Sequence, residues 1–131
     1  MPYGRHTSIA LDISENPHIC YYKPSGIWYT RYNGTSWSEE QVSESGMYNR
    51  LALDNLNLPH ISYQSGNGQN LQYARFDGTS WVIESIDSSS VTSRYGGRFA
   101  AITLDSNGWS HISYQYYQGD LATGRYVLKY A

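Results

Sequence analysis

The sequence predicts an all-β fold of β-propeller blades, three per chain with the last lacking its outer strand, and three observations carry that expectation. Pro17-His18-Ile19-Cys20-Tyr21 returns as Pro59-His60-Ile61-Ser62-Tyr63 and as Ser110-His111-Ile112-Ser113-Tyr114, with the histidines 42 and 51 residues apart. Ile9-Ala10-Leu11-Asp12, Leu51-Ala52-Leu53-Asp54 and Ile102-Thr103-Leu104-Asp105 each end six residues before the repeated histidine. Asn33-Gly34-Thr35-Ser36-Trp37 is matched by Asp77-Gly78-Thr79-Ser80-Trp81. A short unit of strands and tight turns buries its apolar faces only by stacking on its neighbours, which is how blades pack. The repeats cover roughly 4–45, 46–96 and 97–131 of one domain spanning 1–131.

Each repeat is expected to hold four strands. The first carries large apolar residues with small ones between, as in Leu51, Ala52 and Leu53. The second is His60 to Gln64, where Ile61 and Tyr63 alternate with His60, a pattern suited to a sheet packed on both faces. The third is Leu71 to Phe76 and the fourth Ser80 to Ile86, joined through Asp77-Gly78, which predicts a type I′ hairpin. Asn33-Gly34-Thr35 also fits a glycosylation sequon, but the turn explains both copies. Leu128-Lys129-Tyr130-Ala131 matches Leu71-Gln72-Tyr73-Ala74, so the third repeat stops within its third strand.

Closed propellers use roughly four to eight blades, and three blades leave two apolar faces open. A head-to-tail homodimer closing a six-bladed ring is therefore expected, the first blade of one copy packing on the third of the other.

Composition narrows the function. Fourteen Tyr and four Trp stand against two Phe, and residues with an aromatic body and polar tip suit sheet surfaces and sugar or protein contacts. A net charge of −2 without a basic stripe argues against nucleic acid. No apolar run reaches the length of a membrane span and no signal peptide is visible, so a soluble chain of undetermined compartment is expected. Cys20 stands where the other repeats have Ser, which reads as a small buried side chain.

Asp12/His18, Asp54/His60 and Asp105/His111 recur in every repeat, which points to blade architecture rather than three active sites. Asp105-Ser106-Asn107-Gly108 lacks the later acidic ligand of a calcium loop, so no metal or cofactor is expected. Arg31 and Arg75 are expected to pair with Glu40 and Glu84 on the fourth strands, and Trp37 and Trp81 to cover blade edges. No paired carboxylates converge and no nucleophile–base set assembles, so the chain reads as non-enzymatic. Two insertions, one at 88–97 and one between His111 and Leu128, fall on the same end of the blades. They bring forward Arg94, Tyr95, Tyr116, Tyr117, Asp120, Arg125 and Tyr126 as a candidate ligand platform.

The Ala-Leu-Asp, His-Ile-Ser-Tyr and Leu-Gln-Tyr-Ala-Arg-Phe-Asp-Gly-Thr-Ser-Trp pattern resembles bacterial and archaeal repeat propellers, mostly of unknown function. The Arg75-to-Trp81 hairpin is also similar to that of the fucose-binding propeller lectins, some of which assemble six blades from short chains. Those lectins hold the sugar with an Arg on the second strand and a Glu on the third; the positions here are near Ile61 and Tyr73. The resemblance thus implies assembly and leaves fucose unsupported. Two function classes follow: a lectin-like carbohydrate-binding propeller, or a structural or protein-interaction propeller without a small-molecule ligand. A sialidase-like hydrolase ranks third, since Arg5, Arg50 and Arg98 lie near the first-strand entries without an acid–nucleophile pair.

Overall fold

A computed structural model describes residues 4–87, 96–119 and 123–131. Arg94, Tyr95 and Asp120 of the candidate platform lie outside them. The described strands are β1 (Arg5–Leu11), β2 (Pro17–Lys23), β3 (Gly26–Tyr32), β4 (Trp37–Ser43), β5 (Met47–Leu53), β6 (Pro59–Gln64), β7 (Leu71–Phe76), β8 (Trp81–Asp87), β9 (Arg98–Leu104), β10 (Ser110–Gln118) and β11 (Arg125–Tyr130). They form three antiparallel meanders: β1–β4, β5–β8 and the three-stranded β9–β11. These sheets match the expected repeat units and are consistent with propeller-like blades, the third holding three strands among the described residues.

Turn chemistry repeats with the strands. Asp12, Asp54 and Asp105 each accept two backbone N–H bonds at 2.8–2.9 Å, from Ser14 and Asn16, Leu56 and Leu58, and Asn107 and Trp109. Each such turn needs one left-handed residue, supplied by Glu15, Asn57 and Gly108. The turn after the third strand departs from the expected type I′ hairpin. Gly34 and Gly78 have positive φ, but Asn33 and Asp77 do not. The Asn33 and Asp77 side chains instead cap the N–H groups of Thr35 and Ser36, and of Thr79 and Ser80, closing a four-residue loop.

A bulge recurs at the start of each blade. His6, Tyr48 and Phe99 adopt φ of 52°, 56° and 51°, rare for bulky residues. Their rings run in series, His6–Tyr48 at 4.5 Å and Tyr48–Phe99 at 5.3 Å between centroids. β1, β5 and β9 neighbour one another, so the blades splay outward from their first strands.

The core lies between blades. Cys20, Ile27, Tyr29 and Val42 of the first blade meet Leu51, Ile61, Tyr63 and Ala74 of the second. Leu71 and Tyr73 meet Ala100, Ile112 and Tyr114 of the third. Burial pushes the Cys20 thiol up to about 12, and its sulfur accepts from Asn49 Nδ2 at 2.9 Å, so it packs as a small inert side chain. Of the expected ion pairs, neither Arg31–Glu40 nor Arg75–Glu84 forms among the described residues. Register sets Arg31 opposite Ser38 and Arg75 opposite Val82, one diagonal step from each carboxylate. Lys23 instead meets Glu39 at 2.8 Å and Lys129 meets Asp87 at 2.7 Å.

Two faces remain uncovered by the described residues. Ile9 and Leu11 stand exposed on the outer side of the first blade, and Phe99, Leu128 and Tyr130 on that of the third.

Candidate functional site

The repeated histidine belongs to a three-residue unit. His18 Nδ1 lies 2.5 Å from the Tyr29 hydroxyl, His60 Nδ1 2.5 Å from that of Tyr73, and His111 Nδ1 2.6 Å from that of Tyr130. Each Nε2 stands 3.5–3.6 Å from the aspartate at the preceding turn. The carboxylate favours the tautomer with the proton on Nε2, so Nδ1 accepts the tyrosine O–H. Burial holds the His18 and His60 imidazoles below the ordinary histidine pKa, opposed by their aspartates. Burial likewise pushes the Tyr29 and Tyr73 phenols up. The His18 and His60 imidazoles are neutral at pH 7, and their bonds to Tyr29 and Tyr73 tie strands two and three of each blade together.

The unit is covered in two blades and bare in the third. Tyr29 is 2% exposed and Tyr73 7%, but Tyr130 is 70% exposed. The sequence shows three equal copies; only stacking order makes them differ.

Between the second and third blades opens a cleft of about 470 Å³, where Tyr73, Arg75 and Glu84 face Trp109. The Trp109 indole, on the turn before β10, is 72% exposed. At the junction of the first two blades the matching space is filled. Trp81 at the start of β8 sets its indole edge-on against Tyr29, with centroids 5.5 Å apart. Val42 there is 6% exposed, whereas its counterpart Ile86 beside the open cleft is 36% exposed. The third blade has no fourth strand among the described residues, so no equivalent indole reaches Tyr73. Sequence reasoning named Arg75 and Glu84 only as an ion pair and passed over Trp109, whose counterparts Leu58 and Asn16 carry no ring.

Of the sequence-predicted platform, Tyr116, Tyr117, Arg125 and Tyr126 are among the described residues, and they divide between the two sides of the third blade. The insertion in the third blade lengthens strands, β10 running through Tyr116 and Tyr117 to Gln118. Tyr117 pairs with Tyr126, their rings T-shaped at 5.1 Å, on the uncovered side of the blade. Tyr116 and Arg125 fall on the opposite side by register, and Tyr116 lies under Lys129 Nζ at 3.8 Å while packing against the second core cluster. Tyr126 also lines a hollow of about 330 Å³ on the uncovered side with Phe99, Ser113 and Leu128.

Among the described residues no group of three or more His, Cys, Asp or Glu is placed to hold a metal ion. No helix is long and apolar enough to cross a membrane among the described residues. No protein-family model matches the chain, and no curated protein matches it.

Proposed function

We propose that this chain is a non-enzymatic binding propeller that acts as a ring, closed head-to-tail by a second copy into six blades. The observation that carries the reading is the bare Asp105–His111–Tyr130 unit, whose counterparts in the first two blades are covered. What covers them supports the choice of occupant. Leu51, Leu53, Ile61 and Trp81 of the second blade pack against the first. Ile9, Leu11, Ile19 and Trp37 hold the same repeat positions on the uncovered side of the first blade. A second copy would thus present to the third blade the side-chain types that the second blade presents to the first. This is a heterologous contact that closes. Light scattering should give about twice the 14.9 kDa chain mass; a stable folded monomer would sink the reading.

A second reading, lectin-like carbohydrate binding, is favoured by one observation: the exposed Trp109 indole beside Arg75 and Glu84 in the inter-blade cleft. An aromatic face stacks on a sugar ring while charged groups bond its hydroxyls. A glycan array tests it, with Trp109→Ala expected to erase any signal. A blank array leaves the structural or protein-interaction role.

A further inference from the structure

Three Asn-Gly pairs lie in turns of this chain, at Asn33-Gly34, Asn67-Gly68 and Asn107-Gly108, each with an exposed asparagine. In such a pair the glycine nitrogen, unshielded by a side chain, can attack the asparagine side-chain carbonyl if its N–H is not held elsewhere. Two of the three are held. Gly68 N donates to Ser65 O at 2.8 Å and Gly108 N to Asp105 O at 3.0 Å. Gly34 N donates to no acceptor among the described residues. A Cβ placed at Gly34 would meet only Asn16 Oδ1, at 3.9 Å, so the approach is open.

The Asn33 side chain is also set for attack. Its Oδ1 accepts from Thr35 N at 3.0 Å, Thr35 Oγ1 at 2.8 Å and Ser36 N at 2.9 Å. A side chain folded back in this way over its own backbone carries Cγ toward the nitrogen of the next residue. The three donors point at the oxygen on which negative charge develops when that nitrogen adds to Cγ, as in an oxyanion hole. Asn33 Nδ2, the leaving nitrogen, makes no hydrogen bond among the described residues.

We propose that Asn33 is a self-modification site, converting to aspartate through a cyclic imide formed with Gly34, while Asn67 and Asn107 are protected by their turns. The Gly34 nitrogen gives its proton to water or hydroxide and bonds to Asn33 Cγ. The Cγ–Nδ2 bond breaks and that nitrogen leaves as ammonia. Water then opens the five-membered ring. Opening at Cγ restores the normal backbone with a carboxylate at position 33, and opening at the main-chain carbonyl gives the isoaspartyl form.

The second blade shows that the turn accepts the normal product. Asp77 holds the same repeat position and accepts from Thr79 N at 2.8 Å and Ser80 N at 2.9 Å, as Asn33 does from Thr35 and Ser36. These turn N–H groups, Ser80 first, hold the Asp77 carboxyl below the usual carboxylate range. The aspartyl product thus gives the first blade the turn of the second and adds one negative charge to a chain of net charge −2. It needs only water, and it is independent of ring closure.

Peptide mapping by mass spectrometry, after incubation of the folded protein, tests the proposal. Trypsin places the three pairs in separate peptides, 32–50, 51–75 and 99–125. Asn33 should gain the mass of the amide-to-acid change at least tenfold faster than Asn67 or Asn107. It should do so faster at pH 9 than at pH 7, since the attacking nitrogen must lose its proton. In denaturing urea the turn bonds are gone, and the three rates should come within a few-fold of one another. The Asn33→Asp variant should melt no lower than the unmodified protein. Equal rates at the three sites in the folded protein, or an Asn33 that converts only after unfolding, would overturn the proposal. So would an Asn33→Asp variant that melts lower, since the turn of the second blade would then be no guide to the product.

Discussion

Trp81 of the second blade meets Tyr29 of the first edge-on at 5.5 Å, while the equivalent Tyr73 faces an open cleft. The indole joins strands far apart in sequence and also packs on Phe76 beneath it at 5.5 Å. Its N–H is buried without an acceptor among the described residues. Trp81→Phe should therefore cost little, since it keeps the ring and removes an unsatisfied donor. Trp81→Ala should cost about 2–4 kcal/mol through the cavity it leaves. Urea denaturation of both variants checks the contrast; equal losses would mean that the N–H, not the ring, matters.

The three histidine units make a graded series. Replacing His60 by Ala strands the buried Tyr73 hydroxyl and should cost about 1–3 kcal/mol. Replacing His111 by Ala leaves a Tyr130 that water can reach, so the isolated chain should lose under about 1 kcal/mol. If the ring closes as proposed, the His111→Ala loss should grow with protein concentration, because Tyr130 is then covered. A concentration-independent loss as large as that of His60→Ala would contradict the placement.

Period and turn chemistry made the blades legible. The repeats of Ala-Leu-Asp, His-Ile and Gly-Thr-Ser-Trp phased the strands, and the spacing to Leu128 phased the last one. The turn conformation was missed because Asn-Gly and Asp-Gly are compatible with more than one loop. A side-chain cap on Thr35 and Ser36 won over a second positive φ. The way the described platform residues divide between two sides has a related reason. An inserted segment reads as loop in the sequence, but Tyr116 and Tyr117 alternate sides once β10 extends through them. The cleft was invisible because it opens where the third sheet holds no fourth strand among the described residues, and Trp109 has no ring at its repeat counterparts.

Acid should weaken the fold in a defined window. Burial lowers the His18 and His60 pKa values below 6.5, outweighing the aspartates that oppose it, while the unfolded chain titrates near 6.5. Above that pH both states are neutral and the full stability is present. As pH falls below 6.5 the unfolded state takes up protons that the folded state refuses, so stability declines. The slope is at most about 1.4 kcal/mol per pH unit for each histidine, ending at the folded pKa. Denaturation curves between pH 7.5 and 5 check the sign, and His60→Phe should flatten the slope. Asp12 and Asp105, held low by the turn N–H groups, contribute only as pH falls through the lower carboxylate range.

Ring closure makes the sharpest demand on single residues. Leu128 is 83% exposed on the third blade and Trp37 51% exposed on the first, where its ring packs only on one side, against Tyr32 at 5.4 Å. If the ring closes as proposed, Trp37 would take the place over Tyr130 that Trp81 holds over Tyr29, and Leu128 that of the buried Leu71. Leu128→Asp places a charge in that seam and should return the protein to a 14.9 kDa species by light scattering, with an unchanged melting temperature at high dilution. Trp37→Ala should weaken association at least tenfold, since a centrally packed tryptophan commonly contributes about 2 kcal/mol or more to an interface. Dimers that survive both substitutions would place the seam elsewhere, and a trimer would mean nine blades rather than six.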